Sequence, residues 1–253
     1  MKISVVTAVF NRESTIAETV ESVRCQTHTD VEHIVQDGGS RDGTLAILQG
    51  LASPQMLVES THDGGIYEGL NRGILRATGE VIGLMHSDDL FASENTLSLV
   101  SEAMLDPLVD GVYGDLVYVA ANDSQRVIRY WRSGLYEPAK LKWGWMPPHP
   151  TLYLRRNVFD RLGLYDVDFR IAADYEGMLR FLVRGNLRLA YIREVMVRMR
   201  LGGESNRSIG RILQKSKEDY RAIRRYRVGG SGTLLCKNVQ KLSQFILKDQ
   251  TKK

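Results

Sequence analysis

Ser87-Asp88-Asp89 sets two carboxylates side by side, directly after Glu80-Val81-Ile82-Gly83-Leu84-Met85, a short apolar run rich in strand formers. Adjacent like charges repel, so the pair needs a reason to exist. A hard divalent cation held by carboxylates, and itself holding phosphate oxygens, would supply one. A solvated loop whose acids cap the next helix is the competing reading of the pair taken alone. A second group follows residues 31–36, another strand pattern: Asp37-Gly38-Gly39-Ser40-Arg41-Asp42-Gly43-Thr44. Its glycines allow tight turns and close approach to a ligand, and Ser40 or Asp42 can cap the helix beyond. Asp63, before Gly64-Gly65, fits either a ligand contact or an Asx-turn. Asp174 opens a helical pattern whose Tyr175, Met178, Leu179 and Leu182 point to core packing. There a carboxylate serves as a general base or merely complements the helix dipole.

These side chains must be held by a repeating layout. The chain opens strand, helix, strand, helix, with polar residues at each strand's carboxyl end, which is the plan of a doubly wound nucleotide-binding half. Strands are expected near 2–9, 31–36, 55–59, 80–85 and 111–119, and helices near 14–26, 43–51, 66–77 and 94–105. Further strands are expected over 126–132 and around 151–154, then a helix over 173–184 ended by Gly185. Residues 188–192 and 195–201 read as a strand pair. Two amphipathic helices, 207–227 and 233–248, flank Gly229-Gly230-Ser231-Gly232. Neither G-x-G-x-x-G nor G-x-x-x-x-G-K-[ST] follows the first strand, so a dinucleotide dehydrogenase and a P-loop enzyme are both disfavoured. Trp143-Gly144-Trp145-Met146-Pro147-Pro148-His149-Pro150 is the least regular stretch, of the kind that carries function in loops. Trp143 or Trp145 could stack on a ligand ring there, although burial in the core is the commoner fate of a tryptophan, and His149 could touch a bound ligand. Arg155-Arg156 is expected to start a helix on a solvated face.

The segments 5–11, 37–44, 63–73, 77–80, 87–89, 149–156, 163–166 and 172–176, ending near Gly202-Gly203-Glu204-Ser205, occur in an order that resembles the family-two GT-A glycosyltransferases. The likeness looks closest to bacterial exopolysaccharide and colanic-acid-type members. The resemblance implies a GT-A α/β fold with a doubly wound, mostly parallel sheet, and a metal-dependent inverting transfer from a nucleotide-diphosphosugar, a UDP-sugar being favoured. It implies Asp89 as ligand of Mn²⁺ or Mg²⁺, Asp88 at the ribose, and Asp37, Asp63, Thr7 and Phe10 on the nucleotide side. Asp174 is implied as the base, with His149 and Trp145 on the acceptor side, His149 touching either the acceptor or the diphosphate. The family often has Pro where this chain has Ala8, Asn where it has His86, and Glu-Asp where it has Ala173-Asp174. No Gln-x-x-Arg-Trp motif occurs, which favours adding one sugar over polymerising.

Composition fits these expectations. A chain of 253 residues, 43% hydrophobic, can bury a substantial core. Cys25 and Cys236 form no C-x-x-C and are expected to be free thiols in a reducing cytosol. No signal peptide is expected, and no apolar run reaches the roughly 18 residues that span a bilayer. Residues 1–126 carry 7 Lys and Arg against 19 Asp and Glu, while residues 127–253 carry 27 against 11. The acidic half suits a cation-dependent donor site, and the basic half an anionic partner. The expected layout is a catalytic domain over 1–205, with a nucleotide half (1–115) and an acceptor half (116–205), then a basic helical extension over 206–253. The acceptor is expected to be lipid-linked or a saccharide of a surface glycan, with peripheral contact to an anionic inner leaflet and no nucleic-acid partner. Two rivals are a sugar-nucleotide-forming nucleotidyltransferase, which needs a basic Gly-rich loop after the first strand, and a silent nucleotide-sugar-binding module, which needs no base.

Overall fold

A computed structural model describes residues 1–202 and 209–243. Four strands, β1 (Ile3–Val9), β2 (Val31–Asp37), β3 (Met56–Ser60) and β4 (Val81–Leu84), run parallel in the order β3-β2-β1-β4. β5 (Leu90–Phe91), β6 (Gly111–Ala120), β7 (Asp123–Trp131), β8 (Tyr153–Arg155) and β9 (Leu189–Arg200) extend this into one mixed sheet. β8 lies antiparallel between β4 and β6, β9 runs parallel to β6, and β7 forms a hairpin with β6. The helices are α1 (Ile16–Arg24), α2 (Thr44–Gly50), α3 (Ile66–Arg76), α4 (Thr96–Ala103), α5 (Arg156–Leu162), α6 (Ala173–Leu179), α7 (Ile209–Arg225) and α8 (Ser231–Ser243).

β1 shows why the parallel strands read as apolar runs. Val6 and Ala8 pack on α3 through Leu70 and Ile74, while Ile3 and Val5 face a second cluster with Val23, Leu97 and Val100. A strand covered on both faces has no polar side to alternate with. Every strand end of this half then opens on the same edge, where the carboxylates stand.

Three expectations are corrected. Residues 188–192 and 195–201 do not form a strand pair: 189–200 are one strand, β9, that follows β6 along its length. The irregularity is a bulge, where Tyr113 and Asp115 pair with Tyr191 and Val195, so extra residues leave the ladder without ending the strand. Arg155 and Arg156 do not lie on a solvated face. Arg155 donates to the carbonyls of Met104, Asp106 and Val109, and Arg156 to those of Ala77 and Gly79, tying α5 to the loops before β4 and β6. The helix expected over 173–184 is α-helical only to Leu179 and widens to a π-helical turn over Arg180–Arg184.

α7 packs its inner stripe, Ala222, Ile223 and Tyr226, against Phe169, Ala172, Tyr175 and Leu179 around α6. Lys237 of α8 closes the same cluster: its Nζ is 2.7 Å from Asp219 and 3.2 Å from the centre of the Tyr175 ring. The outer stripes, with Ile212, Leu213, Tyr220, Leu235 and Val239, stay exposed. The end of the motif series at Gly203-Glu204-Ser205, the 205/206 boundary and residues 244–248 of the last helical pattern lie outside the described residues. Among the described residues no helix is long and apolar enough to cross a membrane.

Candidate active site

The loop after β2 is built around Asp37. Its buried carboxylate accepts from the backbone N–H groups of Gly39 and Ser40, both at 3.0 Å, and from the hydroxyls of Ser60 at 2.6 Å and Ser40 at 2.5 Å. Three of the four donors sit on Oδ2, so Oδ1 is the oxygen with capacity left for a further donor. Asp63 approaches the same loop from the start of α3, and its Oδ1 accepts the Gly65 N–H at 3.0 Å, an Asx-turn. Its carboxylate lies so close over Gly38 and Gly69 that a Cβ at either would press on it, and this burial raises its pKa. Thr7 is fully buried beneath, its hydroxyl 3.0 Å from His33 Nε2. Phe10 instead stands half exposed at the end of β1. The Asn11 N–H donates to Ser40 Oγ and Asn11 Oδ1 accepts the Arg41 N–H, which locks the β1 and β2 ends together.

After β4 the chain makes a tight turn closed by the Asp89 N–H on the His86 carbonyl, 3.1 Å. Thr15, just before α1, and Thr19 within it donate to the carbonyls of Ser87 and Asp89, so the turn is pinned to that helix. Asp88 remains partly exposed, whereas Asp89 is turned inward and is 1% exposed. Asp89 Oδ1 accepts the Arg200 N–H at 3.1 Å, and its Oδ2 is buried with no hydrogen-bond partner. Burial, with Asp88 alongside, pushes the Asp89 carboxyl well above the carboxylate range. An orphaned carboxyl oxygen with a second acid beside it is a fitting donor set for a hard cation, whose charge would reverse that shift. Among the described residues no three His, Cys, Asp or Glu side chains cluster to cage a metal. The fit is therefore to a cation that takes its remaining ligands from elsewhere, as Mg²⁺ does from substrate phosphates.

Asp174, in the first turn of α6, stands on the other wall. Its Oδ2 is 3.1 Å from His149 Nδ1, and its Oδ1 is 3.1 Å from the Tyr67 hydroxyl, which also lies 2.9 Å from the Ile171 carbonyl. His149 Nε2 is in turn 2.6 Å from His86 Nε2. A continuous line thus runs from the strand end bearing Asp88, through His86 and His149, to Asp174. Burial would raise the Asp174 carboxyl, but His149, Lys215 and Lys237 beside it, with the Tyr175 backbone, hold it at about 2. Burial is also the main force on His149 and brings it to about 4 against the pull of Asp174. At neutral pH the pair is a neutral imidazole donating to a carboxylate.

Glu218 of α7 accepts the N–H groups of Ile171 and Ala172, so the extension caps the very helix that carries Asp174. Trp145 is half buried, stacked on Tyr136 and edge-on to Tyr113, with its indole N–H on the Ser133 carbonyl at 2.8 Å, so its ring is packed within the protein. Trp143 is the exposed one of the two. The structure therefore brings Asp88, His149 and Asp174 together, gathers Asp37, Asp63 and Phe10 at the β1 and β2 ends, and leaves Thr7 beneath the sheet surface. Reasoning from sequence missed Tyr67, Lys215, Lys237 and Glu218, and saw His86 only as a departure from Asn. That departure was the one available signal, because a ring nitrogen in place of an amide is what reaches His149.

The model of the family described as glycosyl transferase family 2 matches residues 4–163. An uncharacterized glycosyltransferase of Mycobacterium tuberculosis is 31% identical over 194 residues, covering 70% of this chain and 68% of that protein. A PGL/p-HBAD biosynthesis glycosyltransferase of Mycobacterium bovis is 27% identical over 208 residues, 80% of this chain and 78% of that one. Among solved structures, S. aureus TarS residues 1–349 in complex with UDP-GlcNAc superposes with a TM-score of 0.69 at 19% identity, over 90% of this chain and 66% of that one. The mannosyltransferase PcManGT of Pyrobaculum calidifontis, in complex with GDP-Man and Mn²⁺, gives 0.67 at 16% identity, over 97% and 73%. At these identities the superpositions speak for a shared GT-A fold.

Proposed function

Because this chain belongs to glycosyl transferase family 2, we propose that it moves one sugar at a time from a nucleotide-diphosphosugar to a lipid-linked or saccharide acceptor, with inversion, in the making of a surface glycan. The observation that carries this reading is the His86–His149–Asp174 line, which joins a donor-side strand end to a carboxylate held as an anion on the facing wall. Single displacement needs a group that draws the proton from the acceptor hydroxyl while the diphosphate leaves. Asp174 supplies the negative charge for the first task. Asp88 and Asp89 serve the second: Asp88 faces the ribose, and Asp89, with its unpartnered oxygen, would hold Mn²⁺ or Mg²⁺. Such a cation, when bound, supplies Lewis-acid charge at the diphosphate.

Asp37 Oδ1, the oxygen with capacity left, would accept an N–H from the base, with Phe10 and Asp63 also on the nucleotide side. A UDP-sugar is the favoured donor, in keeping with the UDP-GlcNAc carried by TarS, and a GDP-sugar is the competitor suggested by PcManGT. A silent binding module would have no use for the Asp174 network, and a nucleotidyltransferase would need more basic residues after β1 than Arg12. The protein would act at the cytoplasmic face, its exposed outer stripes on α7 and α8 resting on anionic lipid. Residues 207–253 carry 13 Lys and Arg against 3 Asp and Glu, and each basic residue near such a surface contributes about 1 kcal/mol.

The test is a screen of nucleotide-sugars for thermal stabilisation and donor hydrolysis, with and without Mn²⁺. Stabilisation by one UDP-sugar and its UDP, enhanced by Mn²⁺, is expected. Indifference to every nucleotide-sugar would end the reading. Co-sedimentation of the full chain with anionic but not neutral vesicles, lost at high salt, is expected for the lipid contact, and equal binding to both vesicle types would remove it.

A further inference from the structure

We propose that the atom taking the acceptor's proton is Nε2 of His149, with Asp174 as the fixed carboxylate behind it and His86 as the group that guards that nitrogen. This rests on the glycosyl transfer proposed above and assigns its base to a different residue from the carboxylate.

The hydrogen-bond network assigns the tautomers. Asp174 is an anion, and a bare ring nitrogen facing it at 3.1 Å would repel it, so His149 presents an N–H at Nδ1. Its Nε2 then carries the lone pair. His86 Nε2 lies 2.6 Å from that lone pair and so must donate its own N–H. The arrangement is the one in which a carboxylate sets the tautomer of an imidazole and steadies the imidazolium that forms when its far nitrogen takes a proton.

Asp174 is poorly suited to take the proton itself. One oxygen faces the His149 N–H and the other the Tyr67 hydroxyl, and Lys215 and Lys237 add positive potential. A carboxyl held at about 2 is a weaker proton acceptor than the neighbouring imidazole at about 4. The groups facing His149 are Asp174 from α6, His86 from the β4 end and Lys215 from α7. The carboxylate favours the imidazolium, while the other two and burial oppose it, so the ring is neutral and able to accept. Its side chain is still 19% exposed.

In the step, the acceptor hydroxyl takes the place of the His86 N–H at Nε2. The O–H bond breaks, the proton goes to Nε2, and the oxygen's electron pair forms the new bond to the anomeric carbon. The bond from that carbon to the diphosphate oxygen breaks, and its pair leaves with the diphosphate.

The experiment compares His149→Asn with His149→Ala in transfer from the donor found by the screen. Asparagine keeps an N–H near the position of Nδ1, where it can still hold Asp174, but cannot take a proton. Both variants should lose roughly 10²–10⁴-fold in kcat for transfer, with donor affinity unchanged. Near wild-type turnover for His149→Asn would return the base to Asp174. If the wild-type chain transfers from no nucleotide-sugar at all, the glycosyl-transfer reading fails instead, and the two failures are distinct. Side-chain ¹⁵N NMR of wild-type protein labelled at histidine needs no variant to fold: a proton on Nδ1 of His149 is expected, and a proton on Nε2 with none on Nδ1 would overturn the assignment.

Discussion

Glu218 Oε2 accepts the Ala172 N–H at 2.9 Å across 46 residues of chain. A side chain from the carboxyl-terminal extension thereby holds the start of the helix that carries Asp174. Glu218→Ala leaves two backbone donors, those of Ile171 and Ala172, without their acceptor. A loss of about 1–3 kcal/mol is expected, read as a melting temperature lower by several degrees. Transfer should fall while donor affinity holds, because the residues proposed for the donor stand at the ends of β1, β2 and β4 and at the start of α3. Unchanged melting and turnover would show that the cap is idle.

Asp89→Asn separates the burial of this side chain from its charge. With its carboxyl pushed well above the carboxylate range, the folded chain is destabilised by ionising Asp89 as pH rises above about 4. The neutral amide should therefore fold at least as stably at pH 7 in EDTA. It should lose the extra stabilisation that UDP gains from Mn²⁺, measured by thermal shift. Full metal-dependent stabilisation in this variant would remove Asp89 from the metal's ligands.

Asp174→Asn keeps size and removes the charge that fixes His149. Turnover should fall roughly 10²–10⁴-fold with UDP affinity unaltered in titration calorimetry. A parallel loss of UDP affinity would place Asp174 on the donor side. Product with the donor's own anomeric configuration would exclude single displacement.

His33 makes stability depend on pH. It is fully buried beside Thr7, and burial takes its pKa down to about 4 from 6.5. Between those values the unfolded chain binds a proton that the folded chain does not, so its contribution is complete above about pH 6.5 and declines as pH falls toward 4. Glu32, on the same strand and held at about 2 by Lys2, Ser4 and Thr78 despite its burial, loses its contribution only at lower pH. Urea midpoints at pH 7.5 and 5.0 should fall less for His33→Gln than for wild type. Equal falls would assign the acid sensitivity elsewhere.

Asp37→Ala removes the common acceptor of Gly39, Ser40 and Ser60. A nucleotide contact alone would leave the melting temperature untouched; the observed network predicts a drop of several degrees as well as lost UDP stabilisation, both readable in one thermal-shift titration.

What was legible in the sequence was local. Hydrophobic runs over 2–9, 31–36 and 80–85 are visible because a strand covered on both faces must be apolar along its length, and the parallel plan then obliges Asp37 and Asp88 to share an edge. The ordered motifs carried Asp174 and His149 to the acceptor side by resemblance. What only the tertiary structure decided depends on packing between distant segments. His86 and His149 are 63 residues apart, and their 2.6 Å contact exists because β8 inserts antiparallel beside β4 and draws the loop before it to the strand end. The inward turn of Asp89 follows from β9 offering it the Arg200 N–H, and the integral role of α7 from Glu218 reaching back to α6. Periodicity reports which face of an element is buried, but not what it is buried against, and it is the neighbour that sets the charge and hydrogen-bonding of each of these groups.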